Sequence, residues 1–207
     1  MQSGIMKVSH QKSLRAEPQI PNTHLPFFVA NHTALDFLNS TAITAETVLD
    51  CLGSGKDLLH WLLQAKLIGA SQVAAVRANC SRRELDEVAS RARALREWFR
   101  GFVLTHLGRR LTAKALDSLQ PLNRVLERDE KYWAIVERSP DSKNHPRDCG
   151  LERRALRRCC TANALVLPIA QSMADLVCLE DFSRVKSCDG NHGSLFFLDR
   201  SQPPYGV

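Results

Sequence analysis

Aromatic residues are scarce: Phe, Trp and Tyr make up 6% of the 207 positions. Strands draw heavily on aromatic and β-branched side chains, so this argues against an all-β sandwich. The plentiful Leu, Ala and Arg favour helices instead. Long apolar runs are also missing. None reaches the ~20 residues a membrane span needs, so no span is predicted. Lys7, Lys12 and Arg15 near the N-terminus are not followed by an apolar stretch of the about 7–15 residues that a signal peptide carries, which makes the cytoplasm the default compartment. The seven cysteines (51, 80, 149, 159, 160, 178 and 188) are odd in number and irregularly spaced. That excludes a regular disulfide framework and predicts that most are small buried hydrophobes. Catalytic signatures are absent too. There is no Gly-x-Ser-x-Gly elbow, no His-Glu-x-x-His, no phosphate-cradling loop and no dinucleotide fingerprint, and the seven histidines are scattered. The expectation is a protein that is not an enzyme, with no catalytic residues.

What is present is enough apolar sequence, 44% of the chain, for one sizeable core. The formal net charge is +6, which is compatible with nucleic acid or another polyanion. Residues 1–25 lack periodicity and are rich in polar residues with Pro18 and Pro21, and read as a disordered lead-in. Order is expected from Pro26 onward. The segment Asn31–Asn39 fits a strand or a helix equally by pattern.

Leu58, Trp61, Leu62 and Ala65 fall on one helical face, with Gly69 as the expected stop. A short helix is predicted after Ser71. Ser81-Arg82-Arg83-Glu84 is a capping box. It opens a long helix with an apolar stripe through Leu85, Val88, Ala92, Leu95, Phe99 and Phe102, ending near Gly108. Thr112 is expected to cap a further helix, with Pro121 as a kink or a restart. Tyr132–Glu137 reads as a strand and Ser139–Gly150 as a loop. Leu151–Arg158 either pairs with that strand or starts a helix. Ala162–Leu179 is mainly helical, with Pro168 at a kink or at its first turn. Arg184–Ser187 and Ser194–Leu198 flank a hairpin turn.

Ala34-Leu35-Asp36-Phe37-Leu38-Asn39-Ser40-Thr41, followed by Asp57-Leu58 and Trp61-Leu62, resembles the opening of the ABATE domain found in stress-induced transcription regulators of bacteria. Val185-Lys186-Ser187-Cys188 through Leu195-Phe196-Phe197-Leu198-Asp199-Arg200-Ser201 resembles the approach to a CGNR zinc finger. Leu167-Pro168-Ile169-Ala170 with Ala174-Asp175-Leu176 looks like the helix before that finger. The resemblance implies a mainly α, α+β fold: a helical bundle-like domain with a small β-hairpin over residues 26–180, then a remnant zinc-finger hairpin over 181–207. It implies an effector-sensing or partner-binding domain joined to a DNA-binding finger that holds zinc. The alternative is a small-molecule-binding or protein-interaction module with no DNA role.

The finger departs from the family pattern. Cys188 occupies the first ligand position, Gly193 stands where the second cysteine belongs, and the segment carrying the last two does not follow Ser201. A truncated finger is therefore expected. A structural zinc needs four N/S ligands. Cys188 and His192 supply an incomplete pair, so no zinc is expected here, and any DNA binding should be electrostatic and salt-dependent.

Two further clusters are candidate sites. His32, Asp36 and Asn39 sit among apolar residues and are candidates for binding a small polar effector; the competing reading is helix capping or backbone bonding. Arg153, Arg154, Arg157 and Arg158 form the densest arginine group and are the nucleic-acid candidates, because the guanidinium fork suits phosphate. The helical arginines at 82–83 and 91–100 are expected to form solvated faces with nearby acids. Trp61, Trp98 and Trp133 are either base-stacking platforms or core residues, with Trp61 expected in the core. Cys159-Cys160 lacks the spacing of a redox or metal pair.

Overall fold

Thr33–Leu38 forms a helix, α1, and its surroundings explain why the pattern left helix and strand undecided. Ala34, Leu35, Asp36, Phe37 and Leu38 are all buried, and a helix covered on every side shows no amphipathic stripe. This computed structural model describes residues 28–43, 48–138, 150–157, 161–190 and 193–201. The lead-in expected at 1–25 lies outside them. A short antiparallel pair that the sequence pattern did not announce follows: β1 (Thr41–Ile43) with β2 (Val48–Asp50).

The predicted helices come next. In α2 (Gly55–Gln64) the Ser54 hydroxyl accepts from the Asp57 amide, and Leu58, Leu59, Trp61 and Leu62 face inward. Gly69 does not stop this helix. The chain leaves it at Lys66 (φ 57°), where Leu67 N donates to Leu62 O at 3.0 Å and Lys66 N to Leu63 O at 3.1 Å. That is a Schellman motif with lysine in the left-handed position usually given to glycine. Gly69 instead precedes α3 (Ala70–Asn79). In α4 (Arg82–His106) the capping box is formed: Ser81 N donates to Glu84 Oε2 at 2.7 Å and Glu84 N to Ser81 Oγ at 3.3 Å. The predicted stripe faces the core.

The helix predicted from Thr112 is broken into two 3₁₀ turns, Ala113–Ala115 and Asp117–Leu119, ahead of α5 (Gln120–Leu126). Pro121 lies in the first turn of α5. Its ring would clash with the carbonyl four residues back in a continuous helix, so it restarts the helix rather than kinking it. Pro168 plays the same part in α6 (Leu167–Leu179), behind the 3₁₀ turn Ala162–Val166. The 18 residues Ala162–Leu179 are long and apolar enough to cross a membrane, and 61% of that run is buried inside the protein.

Two longer hairpins complete the fold. β3 (Lys131–Glu137) pairs antiparallel with β4 (Leu151–Arg157), which settles the open choice at 151–158 as a strand. β5 (Val185–Gly190) pairs with β6 (Gly193–Leu198). The architecture is mainly α with two-stranded antiparallel sheets, as expected. One apolar cluster takes side chains from α1, α2, α4, α6 and also from β5 and β6, through Val185, Phe196 and Leu198. The C-terminal hairpin is thus packed into the same core as the helices.

Candidate functional site

The His32, Asp36 and Asn39 cluster is gathered at α1, but its polar atoms are turned to the backbone. His32 caps the helix, its Nδ1 accepting from Ala34 N at 3.2 Å. Burial lowers its pKa, against the opposing fields of Glu180 and Asp175. Asp36 Oδ1 accepts from Ala30 N at 2.9 Å. Burial raises the Asp36 pKa, although hydrogen bonds from Ala30 and Val29 favour the carboxylate. Asn39 Nδ2 donates to Phe196 O at 2.8 Å, and Phe196 N donates back to Asn39 Oδ1 at 2.9 Å. Beside this clamp Leu198 N donates to Ala30 O at 2.9 Å. Asn31, in the left-handed conformation that asparagine tolerates (φ 59°), donates from Nδ2 to Leu198 O at 3.2 Å. These interactions bind β6 to the start of the domain.

At the start of α4, Arg82 and Arg83 pair with Asp86 and Glu87 on a solvated face, as expected, but Arg93, Arg96 and Arg100 turn inward and correct that expectation. Arg96 is 3% exposed and makes a two-pronged pair with Asp50, at 2.9 Å to Oδ1 and 2.7 Å to Oδ2. It also donates to Ser40 Oγ and to Glu97 Oε1, both at 2.9 Å. Burial disfavours the Asp50 carboxylate. The Arg96 hydrogen bonds, the Leu52 amide and the Arg96 and Arg93 charges nevertheless hold its pKa below the ordinary value. Arg93 donates to Leu52 O and Arg100 to Leu38 O, each at 2.5 Å. Three arginines thus tie α4 to β2, to the turn that follows it and to α1. A signal was present in the sequence. Ala92, Arg96, Phe99 and Val103 follow helical spacing, which puts Arg96 in the apolar stripe itself.

The β3–β4 hairpin is an arm tied to α6 at its root, where Lys131 Nζ donates to Gln171 Oε1 at 2.5 Å, and no β3 side chain is fully buried. On one face lie Trp133, Ile135 and Leu151, exposed by 63, 76 and 57%. Register places Arg153 opposite Ile135, on the same face, and its guanidinium sits 4.4 Å over the Trp133 ring. Arg154, on the other face, pairs with Glu152. The Arg157 side chain and all of Arg158 lie outside the described residues, as do Cys159 and Cys160. The other tryptophans serve packing. Trp61 is buried against Phe37 and Phe28, and Trp98 stacks along Phe99 and Phe102.

A family model, ABATE, described as "Putative stress-induced transcription regulator", matches residues 31–180. This chain belongs to the ABATE family. No curated protein and no solved structure matches it.

The ABATE match takes in α1 through α6 and the arm, and ends just before β5. β5–β6 follows the ABATE segment in sequence but is clamped to its first helix by Asn39. Its inner face carries the buried Val185, Phe196 and Leu198, while Cys188 pairs with Leu195 on the outer face, where both are exposed. His192 lies outside the described residues. Among the described residues no three His, Cys, Asp or Glu side chains are grouped to hold a metal ion. Of the candidate metal pair only Cys188 is described, exposed and opposite Leu195. The cysteines also depart from expectation. Of those described, Cys51 and Cys80 are half-buried and Cys178 and Cys188 are exposed, and none of the four is in a disulfide.

Proposed function

We propose that this ABATE chain acts in transcription regulation by contacting nucleic acid through the β3–β4 arm, with the helical body as its scaffold. The observation that carries this reading is the exposed Trp133 with Arg153 stacked on it. A two-stranded ribbon fits the major groove of duplex DNA. Arginine supplies paired donors to phosphate or guanine, and an aromatic face accepts a base. Charge agrees with that chemistry: residues 131–158 hold eight basic and four acidic side chains. In this reading the C-terminal hairpin braces the body, no zinc is required for binding, and the protein works in the cytoplasm.

The test is fluorescence anisotropy with a labelled DNA duplex over a salt series. Wild-type protein binds at low salt with a steep salt slope. Arg153→Ala with Arg154→Ala weakens binding and reduces the slope by about one for each phosphate that is no longer neutralised. No binding at low salt, or binding indifferent to these changes, overturns the proposal.

A second reading is favoured by Ile135 and Leu151, which surround Arg153 with bare aliphatic surface. Exposed apolar side chains around a Trp–Arg pair also match the centre of a protein interface. If the arm docks a protein, Ile135→Ser abolishes capture of that partner while the weak DNA binding persists.

A further inference from the structure

A cavity of about 430 Å³ opens between α4, α5 and the turn Ala162–Val166. That is within the roughly 300–1,000 Å³ of small-molecule pockets. It is distinct from the His32, Asp36 and Asn39 cluster. Its apolar wall is formed by Leu95, Val125, Val166 and Leu167, and Arg91 and Arg128 also line it. Arg91 is held in place by Asn163, to whose Oδ1 it donates. Arg128, just past the end of α5, makes no ion pair or side-chain hydrogen bond among the described residues.

We propose that this cavity binds a small amphipathic carboxylate, its hydrocarbon part against Leu95, Val125, Val166 and Leu167 and its carboxylate on Arg91 and Arg128. Each half of the site requires its counterpart. A hydrocarbon or alcohol leaves both guanidiniums without an anion, an amine meets two like charges, and inorganic phosphate leaves the apolar wall wet. Glu130 lines the same cavity and opposes an anion, so it limits affinity. Glu130 also immediately precedes β3, which places the bound acid at the root of the arm. This site is independent of what the arm itself contacts.

Decanoate, decanol and decylamine, each below its critical micelle concentration or solubility limit, are titrated into the full chain. Binding is followed by calorimetry and by methyl NMR of Leu95, Val125, Val166 and Leu167. Decanoate gives saturable one-to-one binding and shifts those methyls, while decanol and decylamine bind at least about tenfold more weakly. Arg128→Ala, at an exposed position, keeps the unliganded melting midpoint and weakens decanoate about tenfold. Glu130→Gln strengthens it. Equal binding of decanol and decanoate, methyl shifts elsewhere, or unchanged affinity in Arg128→Ala overturns the proposal.

Discussion

Asn39 and Phe196, 157 residues apart, exchange a pair of hydrogen bonds in which one side-chain amide satisfies both backbone groups of a buried strand residue. Because Phe196 is 1% exposed, water does not easily take the place of that amide. Asn39→Ala is expected to cost about 2–4 kcal/mol, the penalty for two buried backbone groups left unpaired. Asn39→Asp removes the donor and is expected to destabilise as well. Urea unfolding gives the size of the loss. Hydrogen exchange should show the Phe196 and Leu198 amides opening ahead of α4. If those amides keep wild-type protection in Asn39→Ala, the clamp does not hold the hairpin.

The Arg96–Asp50 pair sets both stability and its pH dependence. Arg96→Ala leaves Asp50 without its main partner and is expected to cost about 3 kcal/mol. Arg96→Met combined with Asp50→Leu should recover much of that, because no charge is then left unpaired. Asp50 has a lowered folded-state pKa. Its contribution is therefore complete above the ordinary carboxylate value of about 3.9, and is lost as pH falls through the folded-state value. Asp36, whose pKa is raised, acts in the opposite sense: its contribution is present below the ordinary value and fades as pH rises through the folded one. Asp50→Asn should flatten the acid limb of stability against pH. An acid limb identical to wild type would remove Asp50 from this role.

Gly55 is where α2 meets α4. A methyl group there would collide with Leu85 Cβ and its carbonyl carbon, and the Gly55 amide donates to Asp86 Oδ1 at 2.8 Å. Gly55→Ala is expected to destabilise by about 2–3 kcal/mol through overpacking, although alanine is the better helix former. Gly101, on the same α4 helix with nothing near its missing Cβ, is the control: Gly101→Ala should be neutral or stabilising. Thermal unfolding of both variants decides this, and equal midpoints would rule out the close approach.

Local chemistry was legible before the fold was known. Ser81 and Glu84 announced the start of α4, and the stripe from Leu85 to Phe102 announced its buried face. The run of strand formers from Tyr132 announced β3 and the turn at Cys188–Gly193 announced the C-terminal hairpin, while 151–158 stayed open between strand and helix. Signals that depend on i, i+3 and i+4 neighbours, or on alternate residues, survive without knowledge of distant partners. Polar residues did not read so well. The candidate ligand set of His32, Asp36 and Asn39 has hydrogen bonds to backbone, and Asn39 finds its partner far along the chain. Arg96 carries the chemistry of a surface residue, and only its position in the stripe marks it as buried.

The sequence by itself determined the buried face of α2, the cap and buried stripe of α4, the strand from Tyr132 and the C-terminal hairpin turn, since each is set by neighbours along the chain. Tertiary structure alone decided which charges are buried, that β6 is bound to α1, and that Trp133 and Arg153 stand exposed together on an arm. Those outcomes depend on which surfaces meet across long sequence separations. Burial there turns an ordinary asparagine or arginine into a structural tie, by removing the water that would otherwise satisfy it.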